Sequence, residues 1–151
     1  MDTRDEILSV SAVAQALEML GAAYWEWAPT SDDLKIAPGF PRLIGHPQDA
    51  LPGRTADWLP LVHPEDIGRF SGLLAQAASA TGSLGAKVEV RLRHGSGSWH
   101  WLSMHTQPVH AAGSDYNVLI VFQDITGHKQ IEAALRDSQL RYRALYSTSP
   151  L

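Results

Sequence analysis

Alternating apolar and polar positions between residues 84 and 126 predict three neighbouring antiparallel strands. Residues 84–93 alternate between apolar and charged side chains from Ala86 onward, which is typical of a half-buried strand. After a Gly- and Ser-rich turn, residues 99–109 form the second predicted strand. Residues 116–123 are apolar on both faces near their middle, which predicts a central strand whose outer side is also covered.

The first half of the chain predicts two more strands and a set of mostly short helices. Residues 24–27 are rich in aromatic side chains and suit a strand, and residues 34–36 resume as its hairpin partner after a turn. Proline and glycine are dense in residues 38–53, which predicts short helical turns. One short helix is expected over residues 56–62 and a longer one over about residues 64–80.

The N-terminal residues 1–21 have the pattern of an amphipathic cap helix. Thr3 and Glu6 have capping-box spacing, and Gly21 ends the pattern. Apolar side chains recur between them at helical spacing, at Ile7, Val10, Ala14, Leu17 and Leu20. This helix either covers the domain's own sheet or pairs with the helix of a second copy, and the sequence leaves both roles open.

The C-terminal residues 127–151 predict an outgoing helix that breaks at the run beginning with Ser147. Six of its positions are spaced 3, 4, 3, 4 and 3 residues apart, which is a short heptad seam: His128, Ile131, Leu135, Ser138, Tyr142 and Leu145. Such a seam indicates either a coiled coil between two copies or docking against the domain's own sheet. Periodicity alone does not separate the two.

Composition narrows the class of protein. A chain of 151 residues suits one domain with terminal extensions. Its formal charge of −4 without a basic run gives no support for nucleic-acid binding. The absence of cysteine excludes disulfides, thiolate catalysis and a cysteinyl flavin adduct. No apolar run approaches the roughly 20 residues of a membrane span, so we expect a cytoplasmic segment without membrane contact.

The seven histidines do not predict a metal site or a catalytic centre. His100, His105 and His110 are five residues apart, so successive members point to opposite faces of a strand. His63 precedes a proline at a predicted helix start, where we expect a structural role. Glu65 and Asp66 follow it and are interpreted as helix-start residues. We therefore expect no metal ligand and no catalytic residue in this chain.

Six short motifs occur in order along residues 22–126. They are Trp25-x-Trp27, Leu43-Ile44-Gly45, His63-Pro64-Glu65-Asp66, Gly95-x-Gly97-x-Trp99-x-Trp101, Pro108-Val109 and Asp124-Ile125-Thr126. With the order of predicted elements, these motifs make the chain resemble the PAS domain family, in the subgroup with a His-Pro-Glu-Asp helix start. Residues 140–150 resemble the opening of a second PAS domain, so we expect an N-terminal fragment of a longer protein.

The resemblance implies an α+β fold with a five-stranded antiparallel sheet in the order 2-1-5-4-3 and helices on one face. It implies that Asp124, Ile125 and Thr126 relay a signal from the last strand to the outgoing helix. We expect Thr126 to be the N-cap of that helix, and we expect Asp124 either to fix the backbone of the junction or to pair with a base. A ligand pocket is implied between the sheet and residues 40–80, and its expected lining residues are Phe40, Leu43, Ile44, Trp58, Phe70, Leu74, Val90, Leu102, Met104 and Ile120.

The family implies a sensory and regulatory domain of a multidomain bacterial signalling protein. Such domains are joined to a histidine kinase, a diguanylate cyclase or a phosphodiesterase, and the fragment itself is not expected to be an enzyme. It would sense a small molecule or a partner domain, form a homodimer through one or both terminal helices, and act on a downstream effector domain. The alternative is a ligand-free repeat that serves as a dimerisation and protein-interaction spacer.

From the sequence we expect that the domain binds no cofactor. A flavin stays open as a redox or light sensor, because five tryptophans are available for stacking: Trp25, Trp27, Trp58, Trp99 and Trp101. Haem is disfavoured, because the haem-binding relatives place their axial histidine on the long helix. Residues 64–80 contain no histidine.

Overall fold

The computed structural model describes residues 12, 15–79, 86–110 and 116–147. Five strands form one antiparallel sheet: β1 (Ala22–Ala28), β2 (Asp33–Ile36), β3 (Lys87–Arg93), β4 (Trp99–His110) and β5 (Tyr116–Asp124). Their order across the sheet is β2-β1-β5-β4-β3. The predicted strand order is therefore confirmed, and β5 is the central strand.

In the described part of the chain after β2, three α-helices accompany the sheet, namely α1 (Phe40–Ile44), α2 (Ile67–Ala78) and α3 (Thr126–Ser147). Three 3₁₀ segments connect them: Gln48–Ala50, Thr55–Leu61 and Pro64–Asp66. The short helix predicted over residues 56–62 is present as the segment Thr55–Leu61. The segment is a 3₁₀ helix with Pro60 inside it, and a proline in that position cannot donate an α-helical hydrogen bond.

The predicted N-terminal helix lies mostly outside the described residues. Residues 15–19 are helical, and a left-handed Gly21 (φ 67°) separates them from β1. Glu18 reaches Arg42 of α1 at 3.7 Å. Met19 is 88% exposed, so the described end of this helix does not bury its apolar side chains. Coverage of the outer sheet face by residues 1–11 stays a prediction.

The inner face of the sheet has the phase that the alternation predicted. Val90 of β3, Leu102 and Met104 of β4, and Ile120 and Phe122 of β5 are all fully buried. Cross-strand pairs align them, for example Val90 with Leu102 and Met104 with Phe122. Burial of these side chains against α1, α2 and the 3₁₀ segments supplies most of the hydrophobic stabilisation, at about 25 cal/mol per Å² of apolar surface.

Four aromatic rings fill the middle of this core. Trp25 of β1 lies 5.1 Å from Phe40, 4.6 Å from Trp58 and 4.4 Å from Phe122, measured between ring centroids. The remaining ring pairs that involve Phe40 meet edge to face at 5.0 and 5.7 Å. Offset and edge contacts of this kind contribute about 0.5–1.5 kcal/mol each beyond area burial. The cluster therefore joins the central strands to α1 and to the 3₁₀ segment that carries Trp58.

A buried carboxylate fixes the start of α2 against the edge of the sheet. Asp66 is fully buried, and its Oδ2 accepts hydrogen bonds from the Arg91 backbone N–H at 2.7 Å and from Arg91 Nε at 2.9 Å. Arg69 donates to the other carboxylate oxygen. Asp66 stands at the predicted helix start, but its side chain caps no N–H of α2 and instead pairs with Arg91 of β3. The sequence alone does not distinguish an aspartate that caps a helix from one that pairs with an arginine on a strand.

The surroundings of Asp66 set its proton affinity. Burial by itself raises the pKa of this carboxyl group. The hydrogen bonds from Arg91 and the charges of Arg91 and Arg69 outweigh burial, so the net pKa lies below the usual value of 3.8. The stabilising effect is therefore complete above about pH 3.8, the unfolded-state value, and is lost as the pH falls through the lower folded-state pKa.

Asp66→Asn should lower the free energy of unfolding by about 2–3 kcal/mol at neutral pH, because Arg91 then loses its buried partner. The measurement is urea unfolding followed by tryptophan fluorescence. Glu65→Gln is the matched control, since Glu65 also contacts Arg91 but is 75% exposed. That variant should lose less than about 0.5 kcal/mol. Equal losses in the two variants would contradict the assignment.

Candidate functional site

All ten predicted pocket residues lie between the inner sheet face and the helices. Nine belong to the buried core cluster, and Leu43 is partly buried and packs against it. The geometry thus brings them together in space, and their role as the lining of a ligand pocket stays a prediction.

One polar atom in the core is unsatisfied. Trp25 is fully buried, and its indole Nε1–H has no hydrogen-bond partner among the described residues. Its neighbours are paired, since Trp58 Nε1 donates to the Pro52 carbonyl at 3.2 Å and Trp27 Nε1 donates to Asp32 at 2.8 Å. A buried donor without an acceptor costs about 1–3 kcal/mol.

The tryptophans considered for stacking lie on two different sides of the sheet. Trp25, Trp27 and Trp58 belong to the core cluster. Trp99 and Trp101 lie on the opposite face, where arginine side chains cover them. The guanidinium of Arg93 lies 4.6 Å from the Trp99 ring, and that of Arg91 lies 4.7 Å from the Trp101 ring.

The junction between β5 and α3 is closed by five hydrogen bonds, one of them from Thr126 Oγ1 to the Trp101 carbonyl at 3.5 Å. The β4–β5 ladder ends at the pair Leu102–Asp124. Beyond it, Ile125 N donates to the Trp101 carbonyl at 2.9 Å, and Trp101 N donates to Thr126 Oγ1 at 3.0 Å. Thr126 N donates to Asp124 Oδ1 at 2.9 Å, and Asp124 N donates to the Gly21 carbonyl at 3.0 Å.

The prediction that Thr126 is the N-cap of the outgoing helix was wrong. Thr126 is the first helical residue, and its hydroxyl binds the backbone of Trp101 instead of its own helix. Asp124 satisfies the free Thr126 N–H through its side chain, two residues before it. The predicted role of Asp124 in fixing the junction backbone is confirmed, and its Oδ2 also lies 3.4 Å from His100 Nδ1.

Histidines surround the other side of Asp124. His94, in the turn after β3, stacks on His100 with ring centroids 4.1 Å apart and planes inclined by 14°. Burial, together with the nearby His100 and His46, lowers the pKa of His94 below the usual 6.5, and Asp124 partly opposes this. The pair was not predicted from the sequence. The signal was a matching inward phase, since His94 lies two residues after the buried Leu92 and His100 lies opposite Leu92 in the β3–β4 ladder. Among the described residues, no group of three has the geometry to hold a metal ion.

The first turn of α3 rests on the outer side of the sheet, and the rest of the helix leaves it. Lys129 Nζ lies 2.8 Å from Glu89 of β3 and 5.0 Å from the centre of the Trp101 ring. From residue 133 to residue 146 every side chain is exposed. Three seam positions are open to solvent, with Ile131 69%, Leu135 57% and Tyr142 61% exposed. In the structure, therefore, α3 does not dock along its whole length on the domain's own sheet.

Among the described helices, none is both long and apolar enough to cross a membrane.

A single antiparallel five-stranded sheet, covered on one face and continued by a C-terminal helix, defines a class of small α+β domains. The sequence profile of the PAS fold family matches residues 33–121. The chain belongs to this family. It is 28% identical over 128 residues to an uncharacterized protein, y4lL, of Sinorhizobium fredii. That match covers 84% of this chain but only 15% of y4lL, so the chain spans a small part of its curated relative.

Solved structures of similar fold come from signalling proteins. A sensory box histidine kinase/response regulator from Burkholderia thailandensis is 28% identical with a TM-score of 0.65, over 86% of this chain and 96% of that one. The N-terminal domain of a diguanylate cyclase with PAS/PAC sensor from Marinobacter aquaeolei is 21% identical with a TM-score of 0.59. That match covers 72% of this chain and 98% of the other. The second likeness shows the fold alone.

Proposed function

We propose that the chain is the sensory PAS domain of a multidomain bacterial signalling protein. The observation that supports this most directly is the β5–α3 junction. There, the last strand of the core is hydrogen-bonded to the first turn of a helix that projects away from the sheet. A displacement of β5 would move α3 as well, because the two share Asp124 and the Trp101 backbone. We place the domain in the cytoplasm, as the sequence led us to expect.

The effector domain would follow in the same chain. This rests on the kinase and cyclase proteins from which the similar structures come, and on the small part of y4lL that the chain spans. A histidine kinase, a diguanylate cyclase or a phosphodiesterase is the expected output. The relay residues are Asp124, Ile125 and Thr126, and in this role they bias the angle or register of α3.

Dimerisation through α3 is the second part of the proposal. Ile131, Leu135 and Tyr142 occupy core positions of a heptad, and all three are exposed in the single chain. In a parallel pair of helices, Ala134 of one copy would lie next to Gln139 of the other, beside the seam. Both side chains are uncharged, so no like charges oppose each other there. A second copy of α3 would cover the seam and align two effector domains.

The stimulus is a small molecule that reaches the core. Support comes from the unpaired Trp25 Nε1–H, which offers one directed hydrogen bond in otherwise apolar surroundings. The alternative, a ligand-free dimerisation spacer, is favoured by the four aromatic rings that already fill the centre. A flavin or haem version would show as absorbance between about 350 and 500 nm in the purified protein.

Leu135→Arg should convert a dimer of the chain into a monomer, because a charged side chain would replace an apolar one in the seam. The measurement is sedimentation equilibrium across a tenfold range of concentration. Leu140→Arg is the matched control, since Leu140 is 58% exposed on the same helix but lies off the seam. It should leave the association constant unchanged within about threefold. A wild-type monomer, or equal effects in both variants, would refute dimerisation through α3.

Native mass spectrometry of the purified chain should detect a bound small molecule, and Trp25→Phe should weaken its retention by about tenfold, the size of one lost hydrogen bond. Trp27→Phe is the control, because Trp27 Nε1 is already paired with Asp32. An unliganded wild-type protein, also after incubation with cell extract, would support the spacer alternative. Equal retention of the small molecule by the two variants would show that Trp25 Nε1 does not bind it.

A further inference from the structure

Four titratable side chains meet at one end of the inner sheet face, next to the start of α3. His94, His100 and Asp124 continue the inward phase of β3, β4 and β5, beyond the apolar core. His46 joins them from the loop that follows α1, where its Nε2 lies 3.1 Å from the Arg93 carbonyl. The cluster therefore links the β3–β4 turn, α1 and the β5–α3 junction.

The turn fixes His94 in its neutral form. The Ser96 backbone N–H donates to His94 Nδ1 at 3.1 Å, so this nitrogen must keep its lone pair. The ring also has little room to move, because a Cβ on Gly45 would lie 2.5 Å from His94 Cε1. Gly95 N donates to the Ile44 carbonyl at 2.8 Å and holds the turn against α1.

Asp124 is shared between the histidines and the helix. Its Oδ2 lies 3.4 Å from His100 Nδ1, and its Oδ1 accepts the Thr126 N–H at 2.9 Å. His100 in turn stacks on His94. A change in the charge of the histidine pair therefore acts on the same carboxylate that satisfies the first N–H of α3.

We propose that the His94–His100 pair is a proton-sensitive contact that regulates the β5–α3 junction, so that proton uptake in mildly acidic conditions resets the first turn of α3. This rests on the proposed function, since it names a stimulus for the relay at the same junction. The step is the binding of one solvent proton to His94 Nδ1. The protonated Nδ1 can no longer accept the hydrogen bond from Ser96 N, and its new N–H donates instead to Ser96 Oγ, 2.9 Å away, so the turn is rearranged.

The charges around the cluster determine how it responds to this proton. A cationic His94 is repelled by any charge on His100 or His46 and attracted by the Asp124 carboxylate. Arg93 is turned to the opposite face over Trp99, and its guanidinium donates to the Gly97 carbonyl at 3.5 Å. Repulsion between cationic His94 and any charge on His100 therefore separates the two stacked rings. The Asp124 carboxylate is then drawn toward the histidines, and its hydrogen bond from the Thr126 N–H weakens.

The pH window is set by the lowered pKa of His94. The unfolded chain takes up this proton near pH 6.5, whereas the folded chain takes it up only at a lower pH. Stability from neutral His94 is thus complete above about pH 6.5 and is lost as the pH falls through the folded-state pKa. The structural response of the junction is expected in that lower range.

The test is an NMR titration of the whole chain between about pH 8 and pH 5, following the backbone amides of Thr126 and Gly127 and the ring protons of each histidine. In the wild type the two amides should shift with the midpoint of His94. His94→Gln should abolish that component, since glutamine does not titrate. Asp124→Asn should leave the His94 titration in place but uncouple the two amides from it.

His105→Gln and His128→Gln are the controls. His105 is exposed on the outer sheet face, and His128 pairs with Glu132 on α3 itself. Either control should leave the His94-linked component intact. Amides that do not follow His94, or that show the same component in His94→Gln, would overturn the proton contact. If His94→Gln fails to fold, Asp124→Asn alone decides the question. Coupling of the sheet to α3 is measured separately, by amide hydrogen exchange in Thr126→Val, so failure of the proton contact is distinguishable from failure of the relay.

Discussion

The backbone of Trp101 is hydrogen-bonded to Ile125 and Thr126 beyond the end of the β4–β5 ladder, and the arrangement of the C-terminal half depends on these bonds. Its carbonyl accepts from Ile125 N, and its N–H donates to Thr126 Oγ1. Partly buried backbone groups must find partners, and here the partners come from the residues that leave the strand. The chain therefore ends β5 and begins α3 within two residues. The sheet and the helix are joined at a defined angle instead of through a free linker.

The rest of the fold stabilises the strands on both sides of that junction. On the inner face, Trp25 and its aromatic neighbours connect β1 and β5 to α1. At the edge of the sheet, Asp66 connects α2 to β3 through Arg91. In the proposed function, a ligand in the core would act on β5 through Trp25 and Phe122, and a proton on His94 would act through His100. The second route reaches Asp124, which belongs to the last ladder pair of β5 and also binds the Thr126 N–H.

Much of the fold could be predicted from the sequence because its patterns are local. The alternation in residues 86–92 and 118–122 gave the inward phase of two strands, and the break at Ser147 gave the end of α3. Less could be predicted where one residue type serves two roles. Asp66 and Thr126 are both residue types that are common at helix starts. In the structure, each binds a residue of the sheet more than 20 positions away in sequence. The stacking of His94 on His100 likewise depends on the hairpin register, which spacing alone does not fix.

Amide hydrogen exchange in a Thr126→Val variant of the whole chain tests the coupling of sheet and helix most directly. We predict that the Trp101 amide loses protection by about tenfold, the equivalent of one hydrogen bond. Amides 129 and 130 of α3 should lose protection together with Trp101, because they follow the unpaired N–H groups of the first turn and the strand and the helix are joined through this bond. Loss of protection at Trp101 alone, with the first turn of α3 as protected as in the wild type, would contradict coupling between the sheet and the helix.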